Sequence, residues 1–197
     1  GITLLCKFDG QRVTMASQIA GADETVNSLY SVKSEQATML SFDTYNYLVH
    51  YFGQPQGSMA DDPNGTLGGD YEFVISDATA DRIELKGKKY GNRIVMKAFS
   101  ADQTWKQYLT RIKKVEDDAF FYEYDLRMDG LYTGQMLRSN YTFIVTYYDE
   151  VGKVHQKTVP FMFTTGGMRF HEPVTIDGQT MQNFVWKNEE ISFVCTD

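Results

Sequence analysis

Short apolar runs, many of them alternating with polar residues, recur along most of this chain and are separated by turn residues. This is the pattern of antiparallel strands that bury one face. Ile2 to Phe8 and Arg12 to Ala16 flank an Asp9-Gly10 turn, with Val13 and Met15 on one face of the second strand. A polar, Gly-containing stretch from Gln18 to Asn27 reads as a loop, and strands at Ser28 to Lys33 and Ala37 to Phe42 follow around Ser34-Glu35-Gln36. Asp70 to Ile75, Asp81 to Leu85 and Arg93 to Phe99 form a meander. Later strands are predicted at Phe120 to Met128, Asn140 to Tyr148, Val154 to Val159, Phe161 to Thr164, Met181 to Trp186 and Ile191 to Cys195. Asp129-Gly130, Asp149 to Gly152, Gly166-Gly167 and Asp177-Gly178 supply turns between them.

One segment departs from this pattern. Trp105, Tyr108, Leu109, Ile112 and Val115 recur at helical steps, and Ser100 with Gln103 has the spacing of a capping box. The pattern therefore predicts one amphipathic helix at about 101–116 in a mostly β protein. Its sheets form an antiparallel sandwich or a partly closed barrel, either of which manages the edges of many short strands. The expected organisation is a β meander module over 1–99, a helix over 100–118 and a second β module over 119–197, packed as one compact unit. "MLSFDTYNYLVHYF" (39–52) and "GMRFHEPVTIDGQTMQNF" (167–184) share a Phe after a small apolar strand, a match too thin to establish a duplication.

Composition sharpens this picture. The chain has 197 residues, long enough to bury a core without disulfide or metal staples. Aromatic residues make up 14%, mostly Tyr and Phe, which suits half-buried pleated surfaces. The net charge is −7, and no basic block could track a phosphate backbone, so nucleic-acid binding is not expected. No apolar run approaches the roughly 20 residues of a membrane helix. Leu5 is too large for the residue that precedes a lipidated cysteine, so Cys6 reads as a buried strand residue. Cys6 and Cys195 read as free, buried thiols, with a disulfide as the alternative if the first and last strands are neighbours. Any anchoring signal is expected outside residues 1–197.

The stretch Leu40 to Phe52 concentrates polar side chains among aromatics. It reads as a strand to Phe42, a turn at Asp43-Thr44 whose side-chain oxygens bond backbone amides, and a second strand from Tyr47 to Phe52. His50 then shares the inward face of Leu48 and Phe52, while Tyr45, Tyr47 and Tyr51 face outwards as a surface on which sugars or other flat ligands could stack. The Gly- and Pro-rich stretch 53–69 reads as a long surface loop; its Asp61 and Asp62, with Asp70 beyond it, complete the candidate ligand-binding set. No spacing there matches a cation-binding loop, and no paired His or nucleophile elbow occurs, so no catalytic residue, metal site or cofactor is expected. Lys86, Lys88, Lys89 and Arg93 lack the order of a phosphate loop and read as a basic hairpin turn.

Taken together, "LSFDTYNYLVHYF", "GGDYEFVI" and "IELKGKKYGNRIVM", followed by "FTTGGMRFHEPVTIDG", resemble the Bacteroidota lipoprotein family of domain of unknown function 4302. The resemblance covers most of the chain. It implies an exported protein of the periplasm or cell surface, lipid-anchored at the outer membrane in its full-length form, in bacteria that import glycans and peptides. The family assigns no catalytic residues. The expected role is non-catalytic binding of a glycan, a peptide or an envelope protein, accessory to nutrient acquisition. The alternatives are an envelope hydrolase using paired carboxylates (Asp61, Asp62, Asp70, Glu72) and a structural subunit of a surface assembly.

Overall fold

A computed structural model describes residues 1–34, 37–53, 67–149, 151–176 and 178–197. The fold is mostly β, with 56% of the described residues in strands. The chain divides into two compact units, one of Leu4–Trp105 and one of Lys106–Asp197 joined by Gly1–Thr3. Each unit holds one antiparallel sheet curled into a half-barrel, so of the two expected sheet forms the barrel-like one is realised.

In the first unit β1 (Leu4–Asp9), β2 (Arg12–Ser17), β3 (Val26–Ser34), β4 (Thr38–Phe42), β5 (Glu72–Ala78), β6 (Arg82–Gly87) and β7 (Arg93–Lys97) lie side by side in chain order. Every strand therefore pairs with its sequence neighbour, the pairing with the shortest loop closure. One turn of helix, α1 (Tyr47–His50), and a 3-10 turn at Tyr51–Gly53 follow β4. Leu48 and Val49 of α1 join Val13, Met15, Leu40, Phe42, Phe73 and Leu85 in the core of this unit.

The second unit repeats the plan with β8 (Glu123–Met128), β9 (Leu131–Ser139), β10 (Thr142–Tyr148), β11 (Val154–Thr164), β12 (Gly167–Ile176), β13 (Gln179–Lys187) and β14 (Ser192–Cys195). Between β8 and β9, Asp129 and Gly130 both take positive φ, as the tight hairpin turn that matches strand twist requires. The helix α2 (Trp105–Asp118) turns Ile112 and Val115, with Ala119 just beyond it, onto Phe143, Phe161, Phe163, Met168 and Phe170. It begins later than the expected 101, after Thr104, which with Gln107 has the same capping-box spacing as Ser100 with Gln103.

Arg138 on β9 fastens α2 to this sheet. Its Nη1 donates to the Ala119 carbonyl at 3.0 Å, where the outgoing helix carbonyls lack partners, and its Nε donates to Asn140 O at 3.1 Å. The guanidinium also lies 3.7 Å from Glu116 and 4.9 Å from the centre of the Phe163 ring. Tyr141 Oη donates to the same Glu116 carboxylate at 3.0 Å, and Tyr124 Oη to Ala119 O at 2.9 Å.

Several expectations change. Tyr47 to Phe52 is helical, so 39–52 is a strand and a helix where 167–184 is two strands, and these strings are not structural equivalents. Val154 to Thr164 is one strand through Pro160. Phe161 N–H bonds to Tyr141 O on the β10 side, which turns the Pro160 nitrogen towards β12, and β11 and β12 pair only from Phe161 onwards. The missing proton thus costs no ladder bond. Two strands went unread, β9 around Gly134 and β12 with Gly167 and Pro173. A Cβ on Gly134 would sit 2.1 Å from Thr146 O and one on Gly167 1.9 Å from Phe184 O, so these glycines serve close backbone approach.

Replacing Arg138 by Met keeps the apolar stem and removes the charged donor from the Ala119 carbonyl and the cation from Glu116, leaving Tyr124 and Tyr141 as the donors to these groups. The expected cost is about 2 kcal/mol in chemical denaturation. A loss within the roughly 0.5 kcal/mol of ordinary surface substitutions would contradict the fastening role.

Candidate functional site

The segment after β4 is tied down before it turns. Asp43 N–H donates to Leu29 O at 3.0 Å, and Thr44 Oγ1 accepts from Leu29 N at 2.8 Å, so Thr44 bonds a backbone amide as expected. Asp43 differs: its carboxylate lies 3.8 Å from Lys33, and the neighbouring Ser31 and Ser41 hydroxyls, with Lys33, hold it below the usual carboxylate range.

Asn46 then starts α1. It is fully buried with extended backbone, and its Oδ1 accepts from Leu48 N at 3.1 Å, the bond of an N-cap. Its Nδ2 donates to Ser28 Oγ at 3.1 Å and Met15 Sδ at 3.2 Å. The Asn46 N–H donates to His50 Nδ1 at 3.1 Å, which fixes the imidazole ring. One buried residue thus sets both the helix and the orientation of His50, its side chain capping the helix and its backbone holding the His50 ring.

His50 is not an inward strand residue. Its ring lies 5.3 Å from that of Tyr45 and 4.9 Å from that of Tyr71, the latter nearly parallel at 19°. Tyr45 is 64% and Tyr71 44% exposed, so the three rings form an aromatic ladder at the surface of the first unit.

Tyr71 is placed by its neighbour Asp70. This buried carboxylate accepts from the amides of Lys89 (2.8 Å), Tyr90 (3.0 Å) and Asn92 (3.2 Å) and from Asn92 Nδ2 (2.8 Å). Burial pushes its pKa up, but the bonds from Tyr90, Asn92 and Lys89 outweigh that and hold it below the ordinary value. Gly87 makes room for it, because a Cβ there would lie 1.9 Å from Asp70 Oδ2. "GGDYEF" and "LKGKKYGN" therefore meet in space, the aspartate of one clasping the hairpin of the other. The clasp sets Lys89 and Tyr90 close to Tyr71, with Lys89 Nζ 4.7 Å from the centre of the Tyr90 ring.

The expected tyrosines do not share a face, because the segment that carries them is helical. Tyr45 joins the ladder. Tyr47 instead donates its hydroxyl to Glu24, and that hydrogen bond, with burial adding to it, pushes the phenol up to about 12. Tyr51 packs edge-on against Phe52 in the 3-10 turn. Asp61 and Asp62 lie outside the described residues. Asp70 lies beneath Tyr71 as its support. His50, Tyr71, Lys89 and Tyr90 were missed; Asn46 before Leu48-Val49 was the available signal, an N-cap residue ahead of an apolar pair.

Elsewhere, His155 Nε2 lies 2.8 Å from Asp149 Oδ2 at the end of the β10–β11 hairpin and stacks on Tyr147. Asp149 is engaged with the turn as well, accepting from Val151 N and Lys153 N. Among the described residues no three His, Cys, Asp or Glu side chains converge to hold a metal ion. Both cysteines are free: Cys6 packs on the first core, where burial pushes its thiol up to about 12, whereas Cys195 is exposed on β14 instead of buried.

Fold and ladder together define an all-β protein of two meanders that carries an exposed aromatic surface. The chain belongs to the family described as Domain of unknown function (DUF4302), matched over residues 1–188. No curated protein and no solved structure matches it.

Asn46→Ala removes the cap and leaves the buried Leu48 N–H and Ser28 Oγ unpartnered. A loss of about 2 kcal/mol is expected in denaturant titration, and an unchanged midpoint would refute the role given to Asn46. Because the folded-state pKa of Asp70 is depressed, its contribution to stability is full above pH about 4 and fades as the pH falls through the folded value. Asp70→Asn is expected to be less stable at neutral pH and to show a shallower decline between pH 5 and 3 than wild type; parallel profiles would count against the clasp.

Proposed function

We propose that this chain is a non-catalytic binding domain of an exported, lipid-anchored cell-envelope protein, accessory to the uptake of glycans or peptides. The observation that carries the reading is the ladder of Tyr45, His50 and Tyr71, whose two tyrosines are solvent-exposed and which is anchored through the buried Asn46 at His50 and Asp70 beside Tyr71. Rings fixed before the ligand arrives lose little side-chain entropy on binding, which favours recognition of flat apolar faces. The setting at the cell envelope rests on the resemblance of the family strings to exported lipoproteins.

The hydrolase reading is weaker at this site. A general acid has to hold a proton near neutral pH, whereas Asp70 is stabilised as the anion and its oxygens are occupied by backbone donors. Glu72 is paired with Lys88 at 3.2 Å.

A thermal-shift panel of glycans, aromatic peptides and divalent metals tests the proposal. A ligand at 100 times its Kd adds about 2.7 kcal/mol, a rise of roughly 5–10 °C for a chain of this size. One glycan or peptide class is expected to give that rise, and Tyr45→Ala and Tyr71→Ala to abolish it while keeping the wild-type unfolding midpoint without ligand. A panel with no response would reject ligand binding in favour of a subunit in a surface assembly.

A further inference from the structure

The geometry points to an anionic oligosaccharide, one containing uronic acid residues, as the ligand class of this surface. The inference rests on the binding reading above and adds the chemistry of the ligand. A pyranose ring presents an apolar C–H face bounded by a rim of hydroxyls. The ladder presents the complement: the faces of Tyr45 and Tyr71, with phenolic hydroxyls and the His50 Nε2 around them. His50 Nδ1 is held against the Asn46 backbone, 3.1 Å from its N–H and 2.9 Å from its carbonyl oxygen, which leaves Nε2 as the ring nitrogen not engaged with Asn46.

The cation beside the ladder is the second observation. Lys89 is exposed, and its ammonium is set over the ring of Tyr90. The hairpin lies against Tyr71, because Lys89 N–H bonds Asp70 and Lys88 N–H bonds Glu72 O, the residues on either side of it. Its neighbours in the hairpin already have carboxylate partners, Lys88 with Glu72 at 3.2 Å and Arg93 with Glu84 at 4.0 Å. The adjacent carboxylate of Asp70 is already bonded to the amides of Lys89, Tyr90 and Asn92 and to the Asn92 side chain. That clasp also fixes the backbone of Lys89 relative to Tyr71, so the cation is positioned and does not simply trail from a loop. In a chain of net charge −7, a carboxylate-bearing ligand would otherwise be repelled, and Lys89 supplies the local attraction where the rings offer stacking. A nucleic acid would need a longer basic track than one hairpin provides.

Calorimetric titration of the purified chain with matched hexasaccharides tests the inference: glucan with glucuronan, mannan with mannuronan, and galactan with galacturonan. At least one uronate is expected to bind roughly tenfold more tightly than its neutral counterpart at low salt, with the ratio shrinking as salt is raised. Lys89→Met is expected to collapse the ratio towards one, and Lys89→Arg to keep it. Equal binding of neutral and uronate partners, or a ratio that survives Lys89→Met, overturns the anionic assignment and leaves the binding surface standing. Binding of aromatic peptides without any saccharide overturns the glycan assignment alone. No binding by any of these probes overturns both readings.

Discussion

A curled antiparallel sheet buries one face and cannot cover it with its own strands. In both units of this protein that requirement falls on a helix, and the rest of the structure follows from how each helix is held. In the second unit four turns of α2 lay Ile112, Val115 and Ala119 on a floor of phenylalanines, and Arg138 anchors the C-terminal end. In the first unit a single turn, α1, does the same with Leu48 and Val49. A helix that short is not stable by propensity, since the cost of its nucleus is not recovered over one turn. It exists because Asn46 caps it and because the core accepts its apolar pair.

This dependence ties the surface to the interior. Tyr45 precedes the cap, His50 ends the helix, and Tyr71 follows the carboxylate that clasps the β6–β7 hairpin. None of the three rings is oriented by its own strand alternation. His50 and Tyr71 take their places beside buried polar groups, which are expensive to leave unsatisfied, and Tyr45 packs on His50.

Strand periodicity made most of the fold legible. The meander of β5 to β7, the turn at Asp129-Gly130 and the stripe of α2 follow directly from spacing and turn residues. Where the reading failed, a physical competitor to periodicity was present. Tyr47 to Phe52 alternates well enough for a strand, and one helical turn offers too few residues for a 3.6-residue period to show. The N-cap Asn46 outweighed the alternation. Gly134, Gly167 and Pro173 hid β9 and β12, because glycine and proline are depleted in strands except where backbones approach closely or a ladder shifts register. The ladder was half legible: Tyr45 could be picked out as exposed, but its partner Tyr71 lies 26 positions along the chain and is brought to it by tertiary structure alone.

The clasp at Asp70 also explains why an acidic residue in a suggestive context need not carry chemistry. A carboxylate near a glycine-rich loop invites a role as acid, base or ligand. Here its oxygens are taken by three amides and the Asn92 side chain of a hairpin, and the anion is favoured over the acid. Its charge therefore acts on geometry: it holds Lys89 and Tyr90 in register with Tyr71 and requires Gly87 to stay without a side chain. A surface assembled this way presents rings and a cation that sit on bonds made elsewhere, so changes in the supporting residues shift that surface without altering any side chain on it.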